Sequence, residues 1–452
     1  MSNQKWSSKI LFLITAIGSE AGVASVWKFS YLAGANGGGL FVLTYFLALV
    51  LIAVPALLAE MMIGRRGGGS MIGSLVALRE KDGISRLWKG LGLMSFSCLA
   101  LVLSYYFIVC GWMVDFLVLA LQGRFSHLDP AGAQAQLGMM MGSPWRMLGY
   151  SGLLIVVTSL IVTLGVNKGV ERISGILTPL RFAVMAVLMV YACIVGDGAG
   201  AFWFLFHFDA ATFNYAAIAA AVGQAFFSLG IGVGVMLTVG AYTPPEYPLA
   251  RSAIMVALAQ MVIAVMSGLT IFAVVFANGL EPAQGPGLLF IALPLAFGQM
   301  PMGYAMGVTM FMLLALAAVT ATSMMIEAIV FTVTERWRVN RVVVIWTIGA
   351  VVWAAGALTA FSFNDWADVH PLTWLGLEST KTPFDLLDYL TSTIMMPLGG
   401  LLVALLAGWG LPRLTIASEL GIAQTGLAAT LLRFALRYLV PLTVIVLMIR
   451  LL

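Results

Sequence analysis

Of the chain's 452 residues, 61% are hydrophobic and 9% charged, and the mean hydropathy is +1.02. A soluble domain carries about 25% charged residues, so a globular protein is excluded and a polytopic membrane protein is indicated. The net charge of +4 is not a nucleic-acid footprint, because the basic residues follow membrane sidedness and do not share one surface.

At about 20 apolar residues per span, the length accommodates about eleven helices in one transmembrane domain covering 1–452, with no separate soluble domain. Apolar windows predict spans at 9–35, 39–64, 91–121, 147–166, 175–196, 215–242, 252–278, 302–333, 342–362, 386–409 and 433–452. The polar start, with Trp6 and Lys9, lacks a small-residue cleavage site and reads as a retained first helix, not a signal peptide. The loop after the second window holds Arg65, Arg66, Arg79, Lys81, Arg86 and Lys89, which makes it cytoplasmic. Alternation then places the N-terminus in the cytoplasm and the C-terminus outside, with Arg124, Arg146, Lys381 and Arg450 on the opposite side. Cys98, Cys110 and Cys193 all lie in apolar segments, so neither a disulfide framework nor a metal-ligand spacing is expected.

Two windows are interrupted. The first has its break from Gly18 to Ser25, at the start of a stretch to Gly39 that reads GSEAGVASVWKFSYLAGANGGG and puts Ser19, Glu20, Ser25 and Lys28 at membrane depth. A charge there costs about 3 kcal/mol even on the gentlest scale unless it faces protein or water, so the helix is expected to be broken and to face a site. The sixth window contains FFSLGIGVGVM, with its break from Ser228 to Gly234. Glycines also let membrane helices pack closely. Two breaks five helices apart, one with an embedded carboxylate, instead point to inverted repeats around a binding site. Repeat one covers about 9–196 and repeat two about 215–409, with an extra helix at about 433–452.

The motifs go further. Trp27-Lys28-Phe29, Asn36-Gly37-Gly38-Gly39, Glu60 with Gly64-Arg65-Arg66, Tyr105-Tyr106 with Trp112, Asn167-Lys168-Gly169 with Glu171-Arg172, and Gly223-Gln224 with Phe226-Phe227-Ser228 recur along the chain. Together they resemble a bacterial member of the neurotransmitter:sodium symporter family over nearly the whole length. The resemblance implies an all-α membrane protein with broken helices 1 and 6, importing an amino acid with Na⁺ by alternating access. It places substrate against Ala21, Gly22, Val102, Tyr106, Phe227, Ser228, Gly230, Val233, Ala321 and Met325. Gly22 stands where monoamine carriers have an acid, so the substrate is expected to bring its own carboxylate, held by Tyr106 and amides near Gly22. Gly230 and Val233 leave room for a bulky hydrophobic side chain.

One cation site would use the Glu20 carbonyl, Ser25, Ser228 and Gln260; the second would use carbonyls of Gly18, Ala21 and Ala317 with the Thr320 hydroxyl. Both sets depart from the family pattern: two asparagines have become Ser25 and Gln260, and an adjacent hydroxyl has become Ala321. One or two sodium ions are therefore expected, with no organic cofactor. The Glu20 carboxylate can reach a cation, accept the substrate ammonium, take up a proton or bind free amides at the break. Tyr45, Gln224, Ser228 and Ala264 match the family's anion site, where Ala264 supplies no charge; Glu20 is expected to replace it and make transport chloride-independent. Lys28 and Asp388 match the outer gate. Trp6, Tyr242 and Glu335 match the inner gate, with Lys5 in place of its arginine. The expected partners are an amino acid and the lipid bilayer of the bacterial inner membrane, with the chain a monomer or homodimer and no nucleic acid. Alternatives are proton coupling through Glu20, or an amino-acid-binding membrane sensor that does not transport. His127, His207 and His370 are scattered through loops and no HExxH, P-loop or nucleophile-elbow motif appears, so no enzyme is indicated.

Overall fold

The computed structural model describes residues 5–20, 22–208, 214–281, 287–375, 380–421, 423 and 426–451, and these residues form helices and connecting turns without a strand. Nine continuous helices among them are long and apolar enough to cross a membrane: Gly39–Gly67, Arg86–Leu121, Pro144–Thr163, Val166–Val195, Leu249–Ala277, Gly303–Trp337, Arg341–Ser362, Pro383–Gly410 and Leu427–Ile449. We number them spans 2, 3, 4, 5, 7, 8, 9, 10 and 11. Span 1 is a pair, Lys9–Glu20 and Val23–Ala35, bent by 47° at its break. Span 6 is a second pair, Tyr215–Ser228 and Val235–Ala241. Nine of the eleven predicted windows are thus continuous helices of membrane length, the first is a bent pair of that length, and the sixth is two shorter helices on either side of its predicted break, with individual ends differing by a few residues.

Each break has a local cause. In span 6, Gly230, Gly232 and Gly234 take φ of +52°, +93° and +78°, a left-handed region in which only glycine is free of a Cβ clash. Three such residues at alternate positions cannot continue a right-handed helix. In span 1, Gly22 is extended (φ −82°, ψ −165°) and caps the second half-helix.

The halves pack crosswise, as inverted repeats require. The second half of span 1 lies on span 7, and the second half of span 6 lies on span 2. The latter contact is backbone to backbone: a Cβ on Gly64 would stand 1.8 Å from the Leu237 carbonyl oxygen, and one on Gly240 2.1 Å from that of Met61. Spans 3 and 8 also pack together. Span 8 is the most enclosed of the continuous spans, 78% of its most apolar window being buried, and its Thr320, Thr322, Ser323 and Glu327 are buried in protein.

Among the described residues, short helices at Met71–Asp82, Pro130–Met141, Gly198–Phe206, Leu288–Gln299 and Arg413–Leu420 escape the hydropathy windows. At 1.5 Å rise per residue each is about half a span or less, and each lies in a connection. The Met71–Asp82 helix starts at Ser70, whose hydroxyl accepts the Gly73 N–H, and ends at Gly83 in the left-handed conformation, the ordinary start and stop chemistry of a surface helix.

Candidate substrate and cation site

A cavity of about 70 Å³ lies where the two breaks meet spans 3 and 8. Gly22, Val102, Tyr106, Phe227, Gly230, Val233, Ala321 and Met325 line it, joined by Ser19, Glu20, Val235 and Met396. The predicted substrate residues therefore converge, with two exceptions. Ala21 lies outside the described residues. Ser228 is not in the wall: its hydroxyl donates to the Ala225 carbonyl (3.2 Å) and accepts from the Tyr45 hydroxyl (3.2 Å), so the helical turn before the break keeps it. Gly22 is small for a reason, since a Cβ there would stand 3.1 Å from the Tyr106 hydroxyl and 3.5 Å from the Ala321 methyl. The Glu20 carboxylate crosses to span 6, 2.7 Å from where a Cβ on Gly230 would be.

A second chamber of about 100 Å³ continues beyond Phe227 and Tyr106, which line both spaces and so form the partition. Lys28, Tyr31, Tyr105 and Asp388 stand around it. The Lys28–Asp388 gate is corrected in one respect: no ion pair joins these two. The Lys28 ammonium sits over the Phe227 ring, 3.7 Å from its centroid, and Asp388 accepts from the Ser392 hydroxyl at 2.7 Å. An ammonium is a compact charge without a fork to match a carboxylate, and a partly desolvated aromatic face competes for it. Lys28 thus rests on the Phe227 ring that divides the two spaces.

The two cation sets differ in fitness. In the first, the Ser25 hydroxyl donates to Gln260 Oε1 at 2.6 Å and the Gln260 amide donates to the Ser228 carbonyl; all three residues are fully or almost fully buried. The Gly22 N–H takes one lone pair of the Glu20 carbonyl (2.6 Å). This cluster of hydroxyl, amide and carbonyl oxygens is the donor chemistry of a hard cation, and it fits sodium. In the second set, Thr320 donates to the Ala317 carbonyl (3.0 Å), while Arg181 of span 5 donates from Nη1 to Thr320 Oγ1 (3.2 Å). A guanidinium already occupies the approach to Thr320, and the described members of this set, Ala21 not being among them, do not fit a sodium ion.

At the opposite end, Trp6 and Tyr242 are buried and linked: the Trp6 N–H donates to the Tyr242 carbonyl (3.2 Å) and its indole to the Val239 carbonyl (3.1 Å). Here two expectations are corrected. Glu335 does not pair with Lys5; it accepts from the Ser70 hydroxyl and the Ser70 N–H (3.1 Å), taking up an amide at the start of a helix where negative charge is favoured. The backbone carbonyl of Lys5 receives the Asn167 amide (3.0 Å), and its side chain is exposed. The buried acid at this end is Glu327, which binds the Arg341 guanidinium and accepts from the Tyr242 hydroxyl (2.9 Å). Glu171 accepts the Ser7 and Ser8 N–H groups (3.0 and 3.4 Å), anchoring the segment ahead of span 1. Arg181, Glu327 and Arg341 were missed by motif reading. Their signal is simply an ionisable residue inside or at the edge of an apolar window.

A sequence profile described as "Sodium:neurotransmitter symporter family" matches residues 3–129 and 139–365. The chain belongs to that family. Among relatives, an uncharacterised sodium-dependent transporter YhdH of Bacillus subtilis (strain 168) is 32% identical over 453 aligned residues, covering 99% of this chain and 98% of its own. An uncharacterised sodium-dependent transporter of Haemophilus influenzae is 29% identical, covering 90% and 89%. Among solved structures, the crystal structure of MhsT in complex with L-phenylalanine superposes with a TM-score of 0.90 at 31% identity, covering 99% of this chain and all of the other. Membership in this family of symporters makes the protein a multi-pass membrane transporter that uses sodium and a small-molecule substrate, not an enzyme.

Proposed function

We propose that the protein imports an amino acid with a hydrophobic side chain, coupled to sodium by alternating access, as one transmembrane domain of two inverted repeats. The observation that supports this most is the mixed wall of the cavity beside Phe227. Glu20 and Tyr106 line it together with the apolar side chains of Val102, Val233, Ala321 and Met325. An α-amino acid has the same division between a charged head and an apolar side chain. The phenylalanine in MhsT agrees with that division, and two methionines, Met325 and Met396, allow the apolar part of the wall to adapt.

In this reading the substrate carboxylate is held by Tyr106 and amides of the span 1 break, and the ammonium is drawn toward Glu20 and carbonyls of the span 6 break. Sodium held by Ser25, Ser228, Gln260 and Glu20 supplies positive charge that offsets the carboxylates. Phe227, pinned by Lys28, shuts the cavity from the Lys28 side, which faces the outside; Trp6, Tyr242 and Glu327 shut it from the cytoplasm. The N-terminus lies in the cytoplasm of a bacterial inner membrane and the C-terminus outside. Glu20 supplies the fixed negative charge near the cation, so chloride is not required.

Proteoliposomes given radiolabelled L-phenylalanine, with inward Na⁺ and H⁺ gradients imposed separately, test the reading. Uptake driven by Na⁺ alone is expected. Uptake driven by the pH gradient alone would transfer the coupling to a proton on Glu20, and saturable binding without uptake under either gradient would make the protein a sensor.

A further inference from the structure

Arg181 is 3% exposed in the middle of span 5, and none of the ion pairs among the described residues involves it. Its Nη1 reaches the Thr320 hydroxyl at 3.2 Å, while Nε and Nη2 find no hydrogen-bond partner among the described residues. One turn earlier, Thr178 touches the site from the same helix face: its hydroxyl is buried without a partner and lies 2.3 Å from where a Cβ on Gly18 would stand. Span 5 therefore delivers a guanidinium to Thr320 of span 8 and, one turn earlier, lies against Gly18 of span 1. Because Thr320 gives its own proton to the Ala317 carbonyl, the lone pairs of its hydroxyl are left to accept from Arg181.

Arginine does not shed its proton in proteins, and a buried charge without a counter-ion needs neutral oxygens around it, the same oxygens a sodium ion would need. Two cations a few ångströms apart in a medium of low dielectric repel strongly. We propose that Arg181 is a tethered cation that takes the place of a second sodium, so that the protein binds one sodium ion per chain, at the set formed by Glu20, Ser25, Ser228 and Gln260. The inference rests on the sodium-symport reading above and narrows it: span 5 is held to span 8 at this point by a charge that belongs to the protein and is not released with substrate. The replacement of the neighbouring hydroxyl by Ala321 accords with this, since a guanidinium needs fewer ligating oxygens at one point than a sodium ion.

The test is equilibrium binding of ²²Na⁺ to the purified full chain, counted per protein. The wild type is expected to bind one ion, as are Arg181→Lys and Ala321→Ser. Arg181→Ala combined with Ala321→Ser removes the charge and restores a hydroxyl, and is expected to bind two. Two ions on the wild type, or no gain in the double variant over Ala321→Ser, would overturn the proposal. If the double variant is not monodisperse, the wild-type count of one or two decides. A wild type that binds no sodium would overturn the symport reading instead, and the gain of one ion on removing Arg181 would still decide the role of the arginine.

Discussion

Glu20 and Gly230 face each other across the two breaks, and each constrains the other. A side chain at residue 230 would have to take φ of +52°, which costs about 1–2 kcal/mol, and would also displace the Glu20 carboxylate. Gly230→Ala is therefore expected to weaken substrate binding by about tenfold or more, since about 1.4 kcal/mol is a factor of ten, as read by displacement of radiolabelled amino acid. Glu20→Gln keeps the volume and removes the charge. If Glu20 completes the cation set, the sodium concentration for half-maximal binding rises about tenfold, a change of about 1.4 kcal/mol; an unchanged sodium dependence would remove Glu20 from coupling. Replacing chloride by gluconate is expected to leave wild-type uptake unaltered, and its collapse would show that Glu20 does not stand in for the anion.

The short helices Met71–Asp82 and Arg413–Leu420 are fastened to span 2 by one polar cluster. Arg66 forms two hydrogen bonds to Asp82, both 3.0 Å, and Asp82 also accepts from the Thr415 hydroxyl at 2.7 Å, while Arg65 binds Glu419 at 2.9 Å. Burial alone would raise the Asp82 carboxyl, but the hydrogen bonds from Arg66 and Thr415 and the charges of Arg66 and Lys81 outweigh it and hold the group below the usual carboxylate range. A group lowered in this way stabilises the fold fully above its unfolded value, about 4, and loses that contribution as the pH falls through the lowered folded value. Thermal melting of the purified protein is expected to show a pH-dependent loss below about pH 4 that Asp82→Asn largely abolishes. The same variant is expected to melt a few degrees lower at neutral pH, because Arg66 is left with a weaker partner and a hydrogen bond of a charged group is worth about 1.5–3 kcal/mol.

Across the whole molecule, unlike devices stand at the two ends of the proposed path. At the Lys28 end a cation rests on an aromatic lid, a contact worth about 0.5–2 kcal/mol and easily exchanged for solvent. At the Trp6 end a buried carboxylate holds an arginine and a tyrosine. Breaking such a pair from one side costs about 3–5 kcal/mol, most of the roughly 5.5 kcal/mol that would invert a 99:1 equilibrium. Arg341→Ala is accordingly expected to open the Trp6 end: a cysteine placed at Val233 should react with a polar thiol reagent about 100-fold faster from that side. An unchanged rate would mean that Trp6 and Tyr242 seal this end unaided.

Composition and hydropathy were sufficient for the eleven spans, because a bilayer demands about 20 apolar residues per crossing whatever the packing. The breaks were legible as well, since Glu20 and the glycines from Gly230 to Gly234 violate what lipid requires, and family motifs located most of the cavity wall. The polar partnerships were not. Whether Glu335 meets Lys5 or Ser70, whether Lys28 meets Asp388 or Phe227, and whether Thr320 meets sodium or Arg181 depends on which helix faces bring those groups within about 3 Å. That distance is set by side-chain length and by glycine contacts such as Gly18 against Thr178. Hydropathy responds to the medium each residue lies in, which is a local property. A hydrogen-bond partner is a property of two segments at once, and it exists only when the bundle has closed around it.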